Sequence, residues 1–267
     1  MARVWLPSAS SCHAGPVLTD VTLQACLNGG RPPGQAPATP AALASAAADA
    51  VAAGAQGLHV HPRDAGGSES LLPGDVGAAV AAVRAAVGAD VEISVTTGAW
   101  VAPGVAERGA CVEAWEVLPD SASVNWHEDG AAELAELLQA RGVGIEAGLW
   151  SVDDAVGFLG WPGRESVRRV LVEAIDDEGP AGVATAAAVV AVLHRGGVRG
   201  PLLVHGLGGS TWPVLRWSAE RGHAVRIGLE DVLVLPDGSP APDNAALVRA
   251  AAEVLASVAD RPGQGVS

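Results

Sequence analysis

Two histidines lie one residue apart in the segment GLHVHPRD, at residues 57–64. In a β-strand successive side chains point to opposite faces, so His59 and His61 would share one face. Their Cα atoms would be roughly 6.6 Å apart at the rise of a strand, which lets both imidazoles reach one metal ion. A pair of hydrogen-bonded core histidines fits the same segment, so this pattern alone leaves metal binding open.

A carboxylate pair, Glu230 and Asp231, ends the apolar segment RIGLED. Buried acids are costly without a cation, so the pair predicts a third metal ligand, for which we select Glu230. A His-His-Glu set with open coordination positions is typical of catalytic zinc, although mixed nitrogen and oxygen ligands also suit iron or manganese. The alternative is an acidic cap on a structural arginine, with Arg226 four residues before Glu230.

The composition removes two kinds of mechanism. All 16 residues of the lysine and arginine class are arginine, so a Schiff base on lysine is impossible. The chain has no tyrosine, so no phenol can serve as an acid or a base. If this protein makes or breaks carbon–carbon bonds beside a carbonyl group, a metal ion has to polarise that group.

The charge and the cysteines limit the partners and the compartment. A net charge of −14 argues against nucleic acids and anionic membranes, while a local arginine cluster could still bind a small anion. The three cysteines show no paired or zinc-knuckle spacing, which favours a reducing cytoplasm. The first residues, MARVWLPSASS, lack the apolar core of a signal peptide, and no apolar run has membrane-spanning length. We therefore expect a cytoplasmic protein that acts on small molecules.

The elements that position these residues alternate along the chain. Short apolar, β-branched runs predict strands at 22–28, 57–61, 91–97, 121–127, 143–150, 169–175, 201–207 and 225–231. Alanine-rich runs predict helices near 40–53, 75–87, 104–117, 131–141, 151–159, 181–195, 211–222 and 242–258. This alternation without a linker predicts a single (β/α)8 TIM barrel over residues 21–260, with a doubly wound open sheet as the alternative. We treat 1–20 as an N-terminal extension of unknown role and 261–267 as a tail.

Polar residues collect near the C-terminal ends of the predicted strands, where barrels of this class carry their active sites. These residues are Asn28, His59, His61, Thr96, Thr97, Asn125, His127, Glu128, Glu146, Glu173, His205, Glu230 and Asp231. We expect apolar strand bodies and a catalytic mouth built from this set. We expect His205 to be a structural histidine, and we predict no role for His13, His194 or His223.

The motifs LNGG, HVHPRD, TTGAW, SVNWHEDGA, IEAGLW, LLVHGLGGSTWPVLR and RIGLED follow in this order. With them the chain resembles the β-keto acid cleavage enzymes from about Leu23 to Leu255. The combination of HxHxRD with a terminal RxGxED is the specific part of this resemblance. It implies a (β/α)8 barrel, usually a homo-tetramer, that holds one divalent ion, typically zinc. It also implies a reaction between a β-keto acid and acetyl-CoA that gives acetoacetate and a new CoA thioester.

The resemblance also assigns roles to the residues of the two motifs. His59, His61 and Glu230 match the metal ligands of the family. Asp231 matches the general base, and Arg226 matches the arginine that pairs with it. In the implied reaction the ion chelates the keto and carboxylate oxygens, Asp231 forms the enolate, and a retro-Claisen step releases the products.

Other positions match the family at the substrate pocket. Glu146 matches a glutamate that closes the pocket, and Thr96 matches a hydroxyl residue that acts at the thioester. Asn28 and Ser123 align as pocket lining. The NWHEDGA segment departs from many members, which leaves the identity of the keto acid open.

A glycine-rich loop, HGLGGST, follows the seventh predicted strand and precedes a helix near Thr211. Amide groups at a helix N-terminus favour an anion, so Gly208, Gly209 and Ser210 are candidate contacts for CoA or for the substrate carboxylate. A glycine-rich turn without a ligand is the alternative.

Three competing functions remain compatible with the sequence. A zinc-dependent aldolase without CoA would form the same enolate. A metal-dependent hydrolase also uses an HxH motif in a barrel, but it needs further histidines where strands five and six offer only Glu146 and Glu173. A non-catalytic ligand-binding barrel is the third alternative. The requirement for acetyl-CoA separates the aldolase from the cleavage enzyme.

Overall fold

The computed structural model describes residues 22–199 and 202–260, which form a closed barrel of parallel strands in the order β1 to β8. The strands are β1 (Leu23–Cys26), β2 (Gly57–Val60), β3 (Glu92–Thr96), β4 (Ser121–Asn125), β5 (Gly144–Leu149), β6 (Arg169–Ala174), β7 (Leu203–Gly206) and β8 (Ala224–Ile227). The helices are α1 (Pro40–Ala52), α2 (Pro73–Val87), α3 (Val105–Glu113), α4 (Ala131–Ala140), α5 (Val152–Gly160), α6 (Gly179–Arg195), α7 (Thr211–Ala219) and α8 (Asn244–Ala259). The predicted (β/α)8 barrel is confirmed, and the open sheet is excluded. The extension at 1–20 and the tail at 261–267 lie outside the described residues.

Local sequence signals set the helix boundaries. Thr39 caps α1 by accepting a 3.2 Å hydrogen bond from the amide of Ala42, and Pro40 occupies the first turn. Asp243 caps α8 in the same way, with 2.7 Å to the amide of Ala246. Among residues 22–199 and 202–260, no helix combines the length and the apolar character needed to cross a membrane.

The barrel interior carries polar side chains at several levels, which corrects the expectation of apolar strand bodies. On β3, Ile93 and Val95 belong to the apolar core between the sheet and the helices. The alternate residues Glu92 and Ser94 contact polar side chains of other strands inside the barrel. The apolar layer outside the sheet therefore stabilises the fold, while the interior is free to carry charged groups.

A buried ion cluster occupies the interior near the start of the strands. Glu92 accepts hydrogen bonds from Arg169 at 2.7 Å, from Arg168 at 2.9–3.0 Å and from Ser121 at 2.8 Å. Burial alone would raise the pKa of Glu92, but the two guanidinium groups and the hydroxyl hold that pKa below its usual value. Arg169 also donates to Glu146 at 2.7 Å, so two carboxylates and two guanidinium groups balance at this level.

The eighth strand ends earlier than the predicted range of 225–231. A Cβ on Gly228 would lie 1.8 Å from the carbonyl oxygen of Cys26, so only glycine fits this close approach. The amides of Asp231 and Val232 both donate to the carbonyl of Gly228 at 3.0 Å, which forms a turn directly after Ile227. Glu230 and Asp231 are therefore turn residues at the C-terminal end of the barrel.

The Glu92 cluster gives a stability prediction. We expect Glu92→Gln to lower the free energy of unfolding by about 3 kcal/mol, because removing one partner of a buried ion pair leaves uncompensated guanidinium charge. Urea unfolding at neutral pH measures this effect, with Glu116→Gln at an exposed position as the matched control.

The same carboxylate predicts a dependence of stability on pH. The folded protein holds the pKa of Glu92 below the ordinary 4.5, so its stabilisation is complete above that pH. The stabilisation is lost as the pH falls through the lower folded pKa. Equal free energies of unfolding for the wild type and Glu92→Gln at neutral pH would contradict this account.

Candidate metal centre and active site

Three of the predicted residues form one cluster at the C-terminal end of the barrel. His59, His61 and Glu230 each offer a ligand atom, and these atoms lie within 4.8 Å of one another. Both imidazoles are buried, with ring centroids 5.2 Å apart and planes at 78°. The structure therefore brings together the imidazole of His59 on β2, that of His61 directly after β2, and the carboxylate from the turn after β8.

The environment of His59 keeps its imidazole neutral and fixes the orientation of the ring. Its Nδ1 lies 3.2 Å from Oγ of Ser94, which in turn donates to Glu146. Burial and the positive charge of Arg226 lower the pKa of His59 well below its usual value. A neutral imidazole whose Nδ1 is occupied by a hydroxyl leaves Nε2 available as a metal ligand.

His61 is held from both its backbone and its ring. The side chain of Asn28 donates to the carbonyl of His61 at 2.8 Å and accepts from its amide at 2.9 Å. The ring Nδ1 lies 3.0 Å from Oε2 of Glu69, and this carboxylate also accepts from Nε1 of Trp100 at 2.7 Å. A carboxylate behind a metal-binding histidine fixes the ring orientation, which leaves Nε2 directed at the cluster.

Glu69, the partner of Trp100, is a functional candidate that the sequence analysis missed. Trp100 is 52% exposed, and its ring stacks on His61 with a centroid separation of 6.2 Å and an interplanar angle of 20°. Burial would lower the pKa of His61, but Glu230 and Glu69 raise it to about 9. A proton or a metal cation can therefore balance the negative charge at this point.

The carboxylate of Glu230 has one occupied and one open oxygen. Its Oε1 contacts Nη2 of Arg226 and lies 3.4 Å from Nε2 of His61. Its Oε2 is buried and has no hydrogen-bond partner among the described residues. Burial would raise the pKa of Glu230, but Arg226 and His61 hold it well below the usual value.

The donor set fits a divalent cation. It combines one open anionic oxygen with two imidazoles whose other nitrogens already face protein groups. Gly29 leaves room for Glu230, because a Cβ there would lie 2.3 Å from Cγ of that side chain. Arg31 fixes the turn by donating to the carbonyls of Leu229 at 2.9 Å and of Glu230 at 3.1 Å.

Asp231 lies beside this cluster and is fully buried. Its Oδ2 accepts a hydrogen bond from Sγ of Cys26 at 2.9 Å. Its Oδ1 lies 3.6 Å from Nη2 of Arg226 and 3.3 Å from Nδ1 of His205. The predicted pairing of Asp231 with Arg226 is present, and the same guanidinium nitrogen also contacts Glu230.

His205 has a different environment from the one expected for a structural core histidine. Its two ring nitrogens lie 3.3 Å from carboxylate oxygens of Asp231 and Glu173, and the ring is buried. The sequence placed all three residues at the mouth, but it did not indicate that the ring lies between the two carboxylates.

Two other predicted residues lie away from the centre of the cluster. Glu146 is fully buried, and its oxygens accept hydrogen bonds from Gln24, Ser94 and Arg169. Its Oε2 lies 3.8 Å from Nδ1 of His59, the ring nitrogen that is not assigned to the metal. Thr96 ends β3 opposite Ser123, and its hydroxyl accepts a 3.2 Å bond from the amide of Gly98.

The predicted anion loop has its amides already bonded inside the chain. The amide of Gly208 donates to the carbonyl of Asp231 at 2.9 Å, and that of Gly209 donates to Oδ1 of Asp177 at 2.9 Å. The amide of Ser210 donates to the carbonyl of Leu207 at 3.1 Å. An anion at this loop would have to displace these acceptors.

Comparisons with known proteins agree with the fold. No curated protein sequence matches this chain. The binary complex of ObcA with oxaloacetate is similar, with a TM-score of 0.69, 15% identity and coverage of 84% of this chain. The ternary complex of ObcA with a C4-CoA adduct and oxalate has a TM-score of 0.68 and 15% identity, and the match covers 84% of this chain. The chain covers 64% of each ObcA chain, so it spans less than two thirds of their length.

The N-acetylmannosamine-6-phosphate 2-epimerase from Clostridium perfringens is also similar, with a TM-score of 0.55 and 10% identity. This match covers 84% of our chain and 94% of the epimerase. At these identities the likenesses establish the barrel fold alone. The family model described as beta-keto acid cleavage enzyme matches residues 21–264, nearly the whole chain. The protein therefore belongs to the β-keto acid cleavage enzyme family.

Proposed function

We propose that this protein is a divalent-metal-dependent β-keto acid cleavage enzyme, with zinc as the expected ion. It transfers the acyl part of a β-keto acid to CoA and releases acetoacetate, using acetyl-CoA as co-substrate. The observation that carries this proposal is the His59–His61–Glu230 cluster beside the buried Asp231–Arg226 pair. Family membership supports the reaction class.

The ObcA complexes support the expected ligands. ObcA binds oxaloacetate, which carries a keto group β to one of its carboxylates, and it forms a complex with a C4-CoA adduct and oxalate. A keto acid and a CoA species are therefore compatible with a barrel of this shape. We carry these two ligand classes to the present chain as part of the proposal, without the particular compounds.

The proposed reaction divides its work between the metal site and the buried acid. His59, His61 and Glu230 would hold the ion, and a divalent ion there supplies positive charge that polarises a substrate carbonyl. Asp231 accepts the proton from the carbon between the keto and carboxylate groups. Arg226 holds both carboxylates in place, and the burial of Asp231 excludes water from the proton transfer.

The remaining steps transfer CoA to the substrate and release acetoacetate. The carbanion attacks the acetyl carbon of acetyl-CoA, and the CoA thiolate moves to the former keto carbon. The bond between that carbon and its neighbour then breaks, and acetoacetate recovers the proton from Asp231. Thr96 is our proposed contact for the thioester. Glu146 and the amides of 208–210 are not included, because their polar atoms are bonded within the chain.

Assembly as a homo-tetramer and a cytoplasmic location stay predictions from the resemblance and the composition. The keto acid also stays open. Near the mouth, Glu128 pairs with Arg108 at 3.2 Å, and the ring of His127 lies tilted against Trp150 with a centroid separation of 4.4 Å. These groups are candidates for contacting the distal part of the substrate.

The requirement for acetyl-CoA tests the reaction class. A panel of β-keto acids that differ in the distal group is incubated with the zinc-loaded protein, with and without acetyl-CoA. We expect acetoacetate release only with acetyl-CoA. Equal consumption of the keto acid without it would indicate an aldolase and contradict the proposal.

Replacing His59 with alanine tests the ligand assignment. We expect the variant to lose bound metal and activity, because a three-residue site cannot hold the ion with one imidazole and one carboxylate. Elemental analysis of the purified protein measures the metal, with His194→Ala at an exposed position as the control. Retention of stoichiometric metal by His59→Ala would remove His59 from the ligands.

Replacing Asp231 with asparagine tests the general base. The amide keeps the shape of the side chain but cannot accept the proton, so we expect kcat to fall about 10³-fold. Metal content should match that of the wild type, because Asp231 is not a ligand. A variant with near-normal kcat would exclude Asp231 as the base.

Replacing Arg226 with lysine tests the shared guanidinium. An ammonium group cannot reproduce the planar fork, so it cannot serve both Glu230 and Asp231 at once. We expect weaker zinc binding and a kcat lower by about 10²-fold, since disrupting a buried ion pair costs about 3 kcal/mol. Zinc titration and steady-state kinetics measure the two effects, and normal values for both would deny the pairing.

A further inference from the structure

A line of three charged side chains crosses the barrel mouth beside the metal cluster. Oδ1 of Asp231 lies 3.3 Å from Nδ1 of His205, and Nε2 of the same ring lies 3.3 Å from Oε2 of Glu173. Glu173 and His205 are register partners on the adjacent strands β6 and β7. The neighbouring strands therefore fix the ring between two carboxylates, and all three residues are buried.

The ring of His205 is the nearest charged donor to Oδ1 of Asp231. Nη2 of Arg226 is farther away, at 3.6 Å, and it makes its close contact with Glu230 instead. The remaining neighbour, the thiol of Cys26, is a weak donor and bonds the other oxygen, Oδ2. Cys26 therefore holds Oδ2, while the His205 ring is the closest charged group to Oδ1, which has no hydrogen bond among the described residues.

The charges around the ring favour a donor at both of its nitrogens. Burial and the nearby Arg226 lower the pKa of His205, but Asp231 and Glu173 raise it, with a result of about 9. The imidazolium places one ring nitrogen 3.3 Å from each carboxylate, as an ion-pair contact and not as a formed hydrogen bond. Glu173 keeps the ring from turning, since rotation would separate Nε2 from its partner.

We propose that His205 is a positioning residue that aims Oδ1 of Asp231 at the substrate carbon, and that Glu173 fixes the ring of His205 for this purpose. This inference rests on the proposed function, in which Asp231 is the base. It adds two residues that act through Asp231 and touch neither the ion nor the substrate.

Two substitutions at one position separate positioning from packing. An asparagine amide nitrogen occupies the place of histidine Nδ1, and a glutamine amide nitrogen occupies the place of Nε2. His205→Asn therefore keeps a donor for Asp231, and His205→Gln keeps one for Glu173. The same pair at exposed His194 supplies the matched controls.

The readout is deuterium exchange at the carbon between the two carbonyl groups of acetoacetate, in D2O, with the zinc-loaded protein and no CoA. Acetoacetate is the product whichever keto acid is the substrate, and its exchange reports proton transfer alone. We expect His205→Gln to lower the exchange rate by about 10²-fold, the cost of a misplaced catalytic group. We expect His205→Asn to stay within about tenfold of the wild type, with zinc content and KM unchanged in both variants.

Each outcome decides the question. If the wild type catalyses exchange and the two His205 variants exchange at the wild-type rate, the positioning role is overturned. The same holds if both variants lose exchange rate by equal factors. In either case the proposed function stays intact. Absence of exchange in the wild type overturns the proposed function and this inference with it.

Glu173→Ala gives a second, independent measurement if a His205 variant fails to fold. We expect it to lower exchange about tenfold in the wild-type background and to have no effect in the His205→Asn background, where the shorter side chain no longer reaches position 173. An equal effect in both backgrounds would contradict the proposed chain of contacts.

Discussion

The arrangement depends on one guanidinium group that serves two adjacent carboxylates inside a barrel. Side chains of adjacent strand residues point to opposite faces, so Glu230 and Asp231 could not both face inward from a regular strand. The close approach of Gly228 to β1 ends β8 and starts a turn, which brings both carboxylates to Arg226. Without this turn, either the metal ligand or the base would face the helices.

The charges inside the barrel explain why a cation belongs at the mouth. Near the start of the strands the two carboxylates, Glu92 and Glu146, are balanced by the guanidinium groups of Arg168 and Arg169. Around the mouth the negative side chains in mutual contact outnumber the positive ones. They comprise Glu69, Glu173, Glu230 and Asp231, against Arg226 and the His205 imidazolium. When His61 is neutral, as a metal ligand must be, two negative charges remain, which a divalent ion would neutralise, and burial makes that neutralisation necessary. Metal binding and stability should therefore be coupled.

The sequence predicted the parts of this site that depend on local spacing. Eight alternations of apolar runs and alanine-rich helices indicated the barrel, and the period of a strand placed His59 and His61 on one face. The sequence could not predict the contact of Glu69 with His61, because that contact depends on the path of the loop after β2 and on Trp100. It also could not place the ring of His205 between carboxylates from two other strand ends, which only the register of the closed barrel determines.

Other differences have similar physical causes. Glu146 looked like a residue of the mouth because strand residues were counted without their register, yet it pairs with the first residue of β6. The glycines of the loop after β7 suggested an anion site, but their amides have acceptors that the sequence did not reveal.

Anomalous X-ray diffraction at the zinc edge, from crystals of the zinc-loaded wild-type protein, tests the central claim most directly. The account predicts one peak about 2.0–2.2 Å from ligand atoms of His59, His61 and Glu230. A fully occupied ion elsewhere, with no peak between these three side chains, would contradict it.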